Sequence, residues 1–259
     1  MTASLRDDAR LAEHLVHEAG ELAARMRDGG LTSQAKTSVA DLVTAADHAA
    51  EELVVGLLAE HRPDDGVLGE EGAVRAGISG RTWVIDPVDG TYNFVQGLTW
   101  WCSAIALATG EGLEVPLLGA VYHPHEDTAY VGGPGVPATA DGVSLEPLVD
   151  RPLAQSCVAT YLHPPFFGGA VADAFARAVT GAATIRMLGS GTLDAMAVAT
   201  GRLHVVCQHS VPAWDRLPGE AMIRSVGGTS VRVRAAGVEW YVAGVPTAVA
   251  EVVAGLRSG

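Results

Sequence analysis

Residues 83 to 94 read Trp-Val-Ile-Asp-Pro-Val-Asp-Gly-Thr-Tyr-Asn-Phe, and this stretch decides the fold. Its first three residues are apolar and predict a buried strand. Two aspartates, Asp86 and Asp89, then flank a Pro-Val pair. Because proline fixes its own φ and lacks a backbone N–H, we expect the strand ladder to end and the chain to turn at Pro87. Such a turn would let the two carboxylates converge instead of pointing to opposite faces of the sheet.

Two carboxylates beside a glycine that opens a helix are suited to hold a divalent cation and a phosphate. Mg²⁺ prefers oxygen ligands, few of them from protein and the rest from water and phosphate. Gly90 permits a positive φ or a close backbone approach, and the N–H groups after it would face an anion. The alternative is a surface turn of the form Asp-Pro-x-Asp-Gly after a strand, without a functional role. Distant partners for the two aspartates would favour the site over the turn.

The segment from Asp86 to Phe94 matches the D-P-x-D-G-T-x-N-F signature of the inositol monophosphatase family, which the chain resembles. Three further segments match the family's motifs in the same order: residues 36–47 (KTSVADLVTAAD) its K-x(4)-D-x-x-T-x-x-D segment, residues 69–71 its G-E-E motif, and residues 214–228 its W-D-x-x-x-G and G-G motif. The resemblance spans about residues 10 to 255. Four ordered motifs are strong support for the family and much weaker support for a substrate.

The resemblance implies a layered αβαβα sandwich of mixed α+β and α/β class, of the inositol monophosphatase and fructose-1,6-bisphosphatase type. Strand and helix patterns alternate along the chain, in keeping with that class. Residues 132–152 are rich in Gly, Pro, Ala and Asp, and we place the lobe boundary near the end of this segment, around residue 147. We therefore predict an N-terminal α+β lobe at 1–146 that carries most metal ligands. A C-terminal α/β lobe at 147–259 would carry Asp215 and the substrate-specificity loop.

Hydrophobic periodicity and breaker residues predict the individual elements. Helices are expected at 5–27, 41–60 (capped near Asp41), 168–179, 189–200, 215–226 and 246–256. Strands are expected at 66–69, 82–86, 102–109, 118–122, 128–131, 156–160, 184–187, 203–207, 229–233 and 239–243.

Composition limits the class of protein. Apolar residues make up 48% and charged residues 18% of 259 residues, as in an ordinary globular protein with a large core. The formal net charge of −13 disfavours binding to a nucleic acid polymer. The first twenty residues lack the apolar centre of a signal peptide, and no apolar run reaches the length of a membrane span. Three cysteines without metal-ligand spacing are typical of a reducing compartment, so we expect a cytoplasmic protein.

The resemblance implies the roles of the site residues. Two or three Mg²⁺ ions, for which Mn²⁺ can substitute, would be held by the backbone carbonyl of Val88 and by the side chains of Glu70, Glu71, Asp86, Asp89 and Asp215. Catalysis would rest on Asp47 and Thr91, which orient the nucleophilic water, and on Glu70. The substrate would contact Asp89, Gly90, Thr91, Gly189, Ser190, Gly191, Gln208 and Asp215.

Structural interpretations exist for the same residues. Asp47 could be an exposed helix carboxylate, and the Glu70-Glu71 pair could lie in a solvated turn. Asp215 could cap the helix that follows it, which is compatible with binding a metal. For Asp41 and Thr44 we favour structural roles, and Lys36 is a candidate for balancing charge near the metals.

Two positions depart from the family pattern. Gln208 stands where inositol-selective members place a glutamate, and an amide both donates and accepts hydrogen bonds without charge. Arg216 replaces a small residue after Asp215 and could touch the substrate phosphate or point into solvent.

The tryptophans Trp100 and Trp101 could form a wall of the substrate entrance or be buried in the lobe.

The leading functional hypothesis is Mg²⁺-dependent hydrolysis of a small phosphate monoester by metal-activated water, with inositol 1-phosphate or a related polyol or sugar phosphate as substrate. Alternatives with the same chemistry are a phosphatase for histidinol phosphate, for a nucleotide 3′-phosphate or bisphosphate, or for a sugar phosphate of a specialised pathway. A non-catalytic sugar-phosphate-binding protein is a different class, which the presence of Asp47, Glu70 and Thr91 disfavours. The resemblance also implies inhibition by lithium and a homodimer.

Overall fold

The computed structural model describes residues 4–29, 33–35, 42–113 and 115–258, with the backbone alone for 33–35 and 42–43. The predictions for Lys36 and Asp41 lie outside the described residues. The helices are α1 Leu5–Asp28, α2 Ala45–His61, α3 Thr91–Val95, α4 Gly169–Val179, α5 Gly191–Ala199, α6 Ala213–Ser225 and α7 Pro246–Arg257. The strands are β1 Ser33–Ala35, β2 Leu42–Thr44, β3 Gly66–Gly69, β4 Val74–Arg75, β5 Arg81–Asp89, β6 Cys102–Thr109, β7 Val115–His123, β8 Thr128–Gly133, β9 Val136–Ala140, β10 Val143–Ser144, β11 Cys157–Ala159, β12 Thr184–Arg186, β13 Val205–His209, β14 Thr229–Ala235 and β15 Val238–Gly244.

Two large sheets organise the chain. The first has the order β10-β9-β8-β7-β6-β5-β3-β4 and is antiparallel except where β3 runs parallel to β5. The second has the order β12-β11-β13-β15-β14, with β12, β11 and β13 parallel and the other neighbours antiparallel. Strands β1 and β2 form a separate antiparallel pair.

Alternation along the strands sends side chains into three helix layers. On β5, Trp83 and Ile85 pack with α1 and α2 on the outer face, whereas Val84 meets Leu217 of α6. In the second sheet, Val206 of β13 faces α5 and α6, while its neighbours in the same strand face α4 and α7. The result is the order α1/α2, first sheet, α5/α6, second sheet, α4/α7. This arrangement confirms the expected αβαβα sandwich.

Element bounds differ from expectation at several places. The sequence patterns predict no strand within residues 132–152, whereas β9 and β10 extend the edge of the first sheet there. Helix α2 begins at Ala45 and is capped by Thr44, not near Asp41. Strand β13 starts and ends two residues later than expected, so it includes Gln208. None of the described helices combines the length and the apolar composition that a bilayer span requires.

Candidate active site

A β-bulge brings Asp86 and Asp89 to one face of the first sheet. The sequence predicts that strand β5 leaves the sheet at Pro87. This prediction is wrong, because β5 continues to Asp89. Asp86 pairs with Ala104 and Asp89 with Cys102, so two residues of β5 oppose one of β6. The extra residue cancels the alternation that would otherwise place side chains three apart on opposite faces. Both carboxylates therefore point toward the α5/α6 layer.

The helix after the bulge begins where the sequence predicts it. Gly90 adopts φ 93° and precedes α3, a conformation that other residues rarely accept. A Cβ at this position would lie 3.1 Å from the carbonyl oxygen of Trp100 and 3.2 Å from that of Gly189. Glycine is thus required both by the backbone angle and by the close approach of two other segments.

Glu70 is placed by a carboxylate that sequence reasoning did not single out. Glu51 of α2 is buried and accepts hydrogen bonds from the backbone N–H groups of Glu71 at 2.9 Å and Ala73 at 2.8 Å. A Cβ on Gly69 would lie 2.1 Å from the same carboxylate, which accounts for glycine there. The turn after β3 is therefore held against α2, and its Glu70 faces Asp86. The only sequence signal for Glu51 is an acidic residue on the buried face of a helix.

Asp215 arrives from the other half of the chain, on the first turn of α6. One ligand atom each from Glu70, Asp86 and Asp215 can be chosen so that all lie within 4.8 Å of one another. These three carboxylates, with Val88 and Asp89, line a cavity of about 210 Å³. Glu71 is not among the described residues that line it; its buried carboxylate lies 3.9 Å from Nε2 of His48.

The carboxylates destabilise one another in their ionised form. Burial raises the pKa of Asp86 well above its ordinary value, and the charges of Glu70, Asp89 and Asp215 add to the effect. The pKa of Asp215 is raised by burial and then by Asp89 and Glu70. Converging buried carboxylates of this kind are stable as anions only beside a compensating positive charge. An all-oxygen donor set fits Mg²⁺ or Mn²⁺ rather than a metal that prefers sulfur or imidazole.

Asp47 and Thr91 lie together at the edge of this cluster. Asp47 is buried, and its Oδ2 accepts hydrogen bonds from the backbone N–H of Thr44 at 3.0 Å and from the Thr44 hydroxyl. The backbone N–H of Asp47 donates in return to the Thr44 hydroxyl oxygen at 3.2 Å, which closes a capping box. The Oδ1 of Asp47 lies 3.4 Å from the Thr91 hydroxyl, which is also 3.0 Å from the carbonyl oxygen of Val88. Burial raises the pKa of Asp47 to about 6, with a further contribution from the charge of Glu71. The surface interpretation of Asp47 is excluded by this burial.

The predicted substrate contacts separate into two groups. Gly189, Gly191 and Gln208 line the cavity together with Gly90 and Thr91. Ser190 does not: it is 1% exposed, and its hydroxyl donates to Asp89 Oδ2 at 2.7 Å.

Three aromatic side chains that sequence reasoning missed complete the cavity wall. They are Tyr92, Tyr161 and His163. The rings of Tyr161 and His163 meet edge to face with centroids 4.6 Å apart. Both follow β11, where no local motif marks them. Only the topology, which places the end of β11 beside β13 and Gln208, brings them to the site.

Other candidates are structural. Trp101 is fully buried beside Phe94, while Trp100 donates its Nε1–H to Asp194 at 3.1 Å; neither lines the cavity. Arg216 neither reaches the cavity nor points into solvent. It is buried in an ion pair with Glu220, one turn along α6.

Comparison with known proteins agrees with this arrangement. The sequence profile of the inositol monophosphatase family matches residues 5–254. Inositol monophosphatase 2 of Homo sapiens is 30% identical over 229 residues, which cover 84% of this chain and 77% of the relative. A histidinol-phosphatase of Mycobacterium tuberculosis is 34% identical over 229 residues and 86% of each chain.

Among solved structures, the extragenic suppressor protein suhB of Bartonella henselae superposes with a TM-score of 0.86. The match covers 96% of this chain and 98% of that protein at 24% identity. At that identity the likeness shows a common fold.

Proposed function

The chain belongs to the inositol monophosphatase family and is therefore a hydrolase of phosphate monoesters, and we propose that it is an Mg²⁺-dependent phosphatase for a small polyol or sugar phosphate. Inositol 1-phosphate is the reference substrate. The observation that carries the proposal is the convergence of Glu70, Asp86, Asp89 and Asp215 on one cavity, with Thr91 lining it and Asp47 hydrogen-bonded behind it.

We propose the metal ligands as follows. Asp86, whose carboxylate is close enough to feel the charges of Glu70, Asp89 and Asp215, would share the cations with these three, and the carbonyl of Val88 would complete the donor set. Mg²⁺ bound there would activate a water molecule and neutralise charge on the leaving oxygen. Glu71 supports this arrangement from behind the cavity wall, as its buried position indicates.

The chain's own residues then position the reacting groups. The Thr91 hydroxyl can donate to Asp47 or to the Val88 carbonyl while its lone pairs accept a hydrogen bond from water. This fixes the direction from which a water molecule attacks phosphorus, and orientation of this kind lowers the barrier substantially. The backbone N–H groups of Gly90 and Thr91 would donate to the phosphate group. Gly189 and Gly191 also line the cavity, and their lack of side chains leaves room for the phosphate.

A substrate panel tests the proposal. Phosphate release from inositol 1-phosphate, histidinol phosphate and 3′-phosphoadenosine 5′-phosphate is measured with Mg²⁺ for the wild type and for Asp47→Asn. We expect the highest kcat/KM on the polyol phosphate and a large loss in the variant. If no substrate is hydrolysed, or if the variant matches the wild type, the enzymatic assignment of this site is wrong.

Histidinol phosphate is the second candidate substrate. The relative from Mycobacterium tuberculosis carries that activity in its name. Gln208 makes a preference for inositol less expected, but it does not supply an acidic partner for the histidinol amine. Tyr161 and His163, which line the cavity, are aromatic and could pack against an imidazole ring. A kcat/KM for histidinol phosphate at least tenfold above that for inositol 1-phosphate would favour this candidate.

Three further properties belong to the proposal. Li⁺ would inhibit by competing for the cation site formed by Asp89 and Asp215, and unchanged activity in saturating Li⁺ would contradict this.

A homodimer would be seen by light scattering as twice the chain mass of 26.7 kDa. The three buried cysteines, without a disulfide among the described residues, favour a cytoplasmic location, which cell fractionation would test.

A further inference from the structure

Asp89 is held by the first turn of α5, an element from the opposite half of the fold. Its Oδ2 accepts hydrogen bonds from the hydroxyl of Ser190 at 2.7 Å and from the backbone N–H of Thr192 at 2.6 Å. Both partners are buried, with exposures of 1% and 0%. Two buried donors thus converge on one oxygen of a carboxylate that also lines the cavity. The rotation of the carboxylate is thereby fixed.

The same turn also reaches Asp215. The hydroxyl of Thr192 lies 3.4 Å from the backbone carbonyl oxygen of Asp215, at the start of α6. Thr192 therefore contacts an aspartate from β5 through its N–H and an aspartate from α6 through its hydroxyl. Among the described residues, no other one donates hydrogen bonds both to the Asp89 carboxylate and to the Asp215 backbone carbonyl.

The hydroxyl of Ser190 has a second role that fixes its own rotamer. It caps α5 by accepting a hydrogen bond from the backbone N–H of Leu193 at 3.2 Å. With its acceptor side used by the helix, the hydroxyl hydrogen points to Asp89. The two donors on Asp89, the hydroxyl of Ser190 and the N–H of Thr192, therefore both come from the capped first turn of one helix.

We propose that Ser190 and Thr192 are positioning residues that set the geometry of Asp89 and Asp215 for one shared cation. The inference rests on the proposed metal-dependent function. It replaces the expectation that Ser190 contacts the substrate, since its hydroxyl is turned away from the cavity and acts through Asp89. Outer partners of this kind typically contribute 10- to 100-fold to metal affinity.

Direct metal binding tests the inference without substrate. Mn²⁺ binding is titrated by electron paramagnetic resonance on the wild type, Ser190→Ala and Thr192→Val. Unfolding of each protein is also followed in chelator, to verify that the variants fold without metal. We expect about 10- to 100-fold weaker Mn²⁺ binding in each variant at the site of Asp89 and Asp215. Thr192→Ser keeps the hydroxyl and the backbone N–H and should restore wild-type affinity.

A matched control lies on the same helix. Thr200, at the far end of α5, donates its hydroxyl to the carbonyl of Met196 at 2.9 Å, away from the site. Thr200→Val should leave Mn²⁺ affinity unchanged even where it lowers stability. Wild-type affinity in both Ser190→Ala and Thr192→Val would overturn the inference. Absence of Mn²⁺ binding in the wild type would instead refute the metal-dependent function itself, so the two failures are distinguishable. If one of the two variants does not fold, the other decides.

Discussion

At the scale of single residues, the catalytic role of Asp47 can be separated from its structural role. Two helices of this protein begin with the same arrangement, a hydroxyl N-cap and an aspartate three residues later. Ser4 and Asp7 form it on the exposed start of α1, and Thr44 and Asp47 form it on α2. Only Asp47 has a carboxylate oxygen facing Thr91. The two aspartates therefore share a local structure and differ in surroundings.

We predict that Asp47→Asn lowers kcat/KM by about 10²- to 10⁴-fold, because an amide cannot accept a proton or orient water as the carboxylate does. Asp7→Asn, which alters the equivalent helix start away from the cavity, should leave kcat/KM unchanged. Steady-state phosphate release, with circular dichroism to verify folding, checks both. Equal losses in the two variants would show that Asp47 acts through helix capping alone.

Asp194 is a buried carboxyl group outside the proposed catalytic set. Its Oδ1 accepts the Nε1–H of Trp100, while its Oδ2 is buried without a hydrogen-bond partner among the described residues. Burial raises the pKa of Asp194 to about 8, with a contribution from the charge of Asp89. The folded protein therefore keeps this group protonated at neutral pH, whereas in the unfolded chain it ionises near the ordinary aspartate pKa of 3.8.

This difference predicts a pH-dependent stability. Between about pH 4 and pH 8 the folded state binds one more proton than the unfolded state, so the free energy of unfolding falls as pH rises. Asp194→Asn removes this contribution. As pH rises from about 4 to 8, the free energy of unfolding of the variant should therefore increase relative to that of the wild type, by at most about 1.4 kcal/mol per pH unit. Urea unfolding of both proteins at pH 5 and pH 7.5 measures the effect. A stability difference that is the same at both pH values would contradict it.

The residues of the site differ in how well sequence predicts them. Glu70, Asp86, Asp89 and Asp215 lie in dense local motifs whose chemistry is visible in the residue types. Tyr161 and His163 could not be found that way, because they stand in no motif and reach the cavity only through strand order. The role of Ser190 was also hidden, since sequence places it beside the pocket but does not show which way its hydroxyl points.

At the scale of elements, the bulge in β5 is the feature that sequence reasoning described incompletely. The expectation that the ladder ends at Pro87 was wrong, because the chain stays in the sheet to Asp89 and the ladder is only shifted in register. Ser103 of β6 lies opposite Pro87 and Val88, the two bulge residues, and donates its hydroxyl to the Pro87 carbonyl. A bulge satisfies the backbone groups that a full turn would release, and no local sequence rule distinguishes the two outcomes here.

Helix α6 must lie very close to the first sheet to deliver Asp215. A Cβ on Gly119 of β7 would lie 2.4 Å from the backbone oxygen of Pro218 and 2.9 Å from its Cα. Backbone atoms cannot move aside as the end of a flexible side chain can. The absence of a side chain at Gly119 thus sets the distance between the helix and the sheet.

We predict that Gly119→Ala lowers the free energy of unfolding by about 1–3 kcal/mol through overpacking and also reduces kcat/KM, because it displaces the helix that carries Asp215. Gly56→Ala is the matched control: nothing lies within 4 Å of a Cβ there, on an exposed face of α2. That change should stabilise the protein by about 0.5–1 kcal/mol without affecting activity. Urea unfolding and phosphate release measure the pair, and a neutral Gly119→Ala would refute the close-packing argument.

At the scale of the whole molecule, a buried ion network joins the N-terminal helix to the first sheet. Arg81 at the start of β5 donates to Asp8 of α1 at 2.6 Å and to Asp65 at 2.7 Å. Arg62 donates to the other oxygen of Asp8 at 2.7 Å, and Asp8 is completely buried. The network holds α1 over the strand that ends in the candidate active site.

We predict that Arg81→Met destabilises the fold by about 3–5 kcal/mol, because it leaves buried carboxylates without one of their partners. Arg10→Met removes an exposed partner of Asp7 and should change stability by no more than about 1 kcal/mol. Thermal unfolding in matched buffer compares them. Similar losses of stability in Arg81→Met and Arg10→Met would show that the burial of the ion network does not add to its contribution to stability.

The layered architecture could be predicted from the sequence because its motifs identify the family and its periodicities mark most strands. The edge strands β9 and β10 could not, since their sequence is rich in residues typical of loops and only pairing with β8 stabilises them. The division into lobes at 1–146 and 147–259 remains a proposal. Limited proteolysis that cuts first between β10 and β11 would support it.

The central claim is that buried carboxylates from both halves of the fold work through a bound cation. Phosphate release from inositol 1-phosphate, measured in chelator and with increasing Mg²⁺ for the wild type and Asp86→Asn, tests it most directly. We predict no release in chelator, recovery with Mg²⁺ in the wild type, and no recovery in the variant, although removing one of several repelling carboxylates should leave it folded. Full activity of the wild type in chelator, or normal Mg²⁺ activation of Asp86→Asn, would contradict the account.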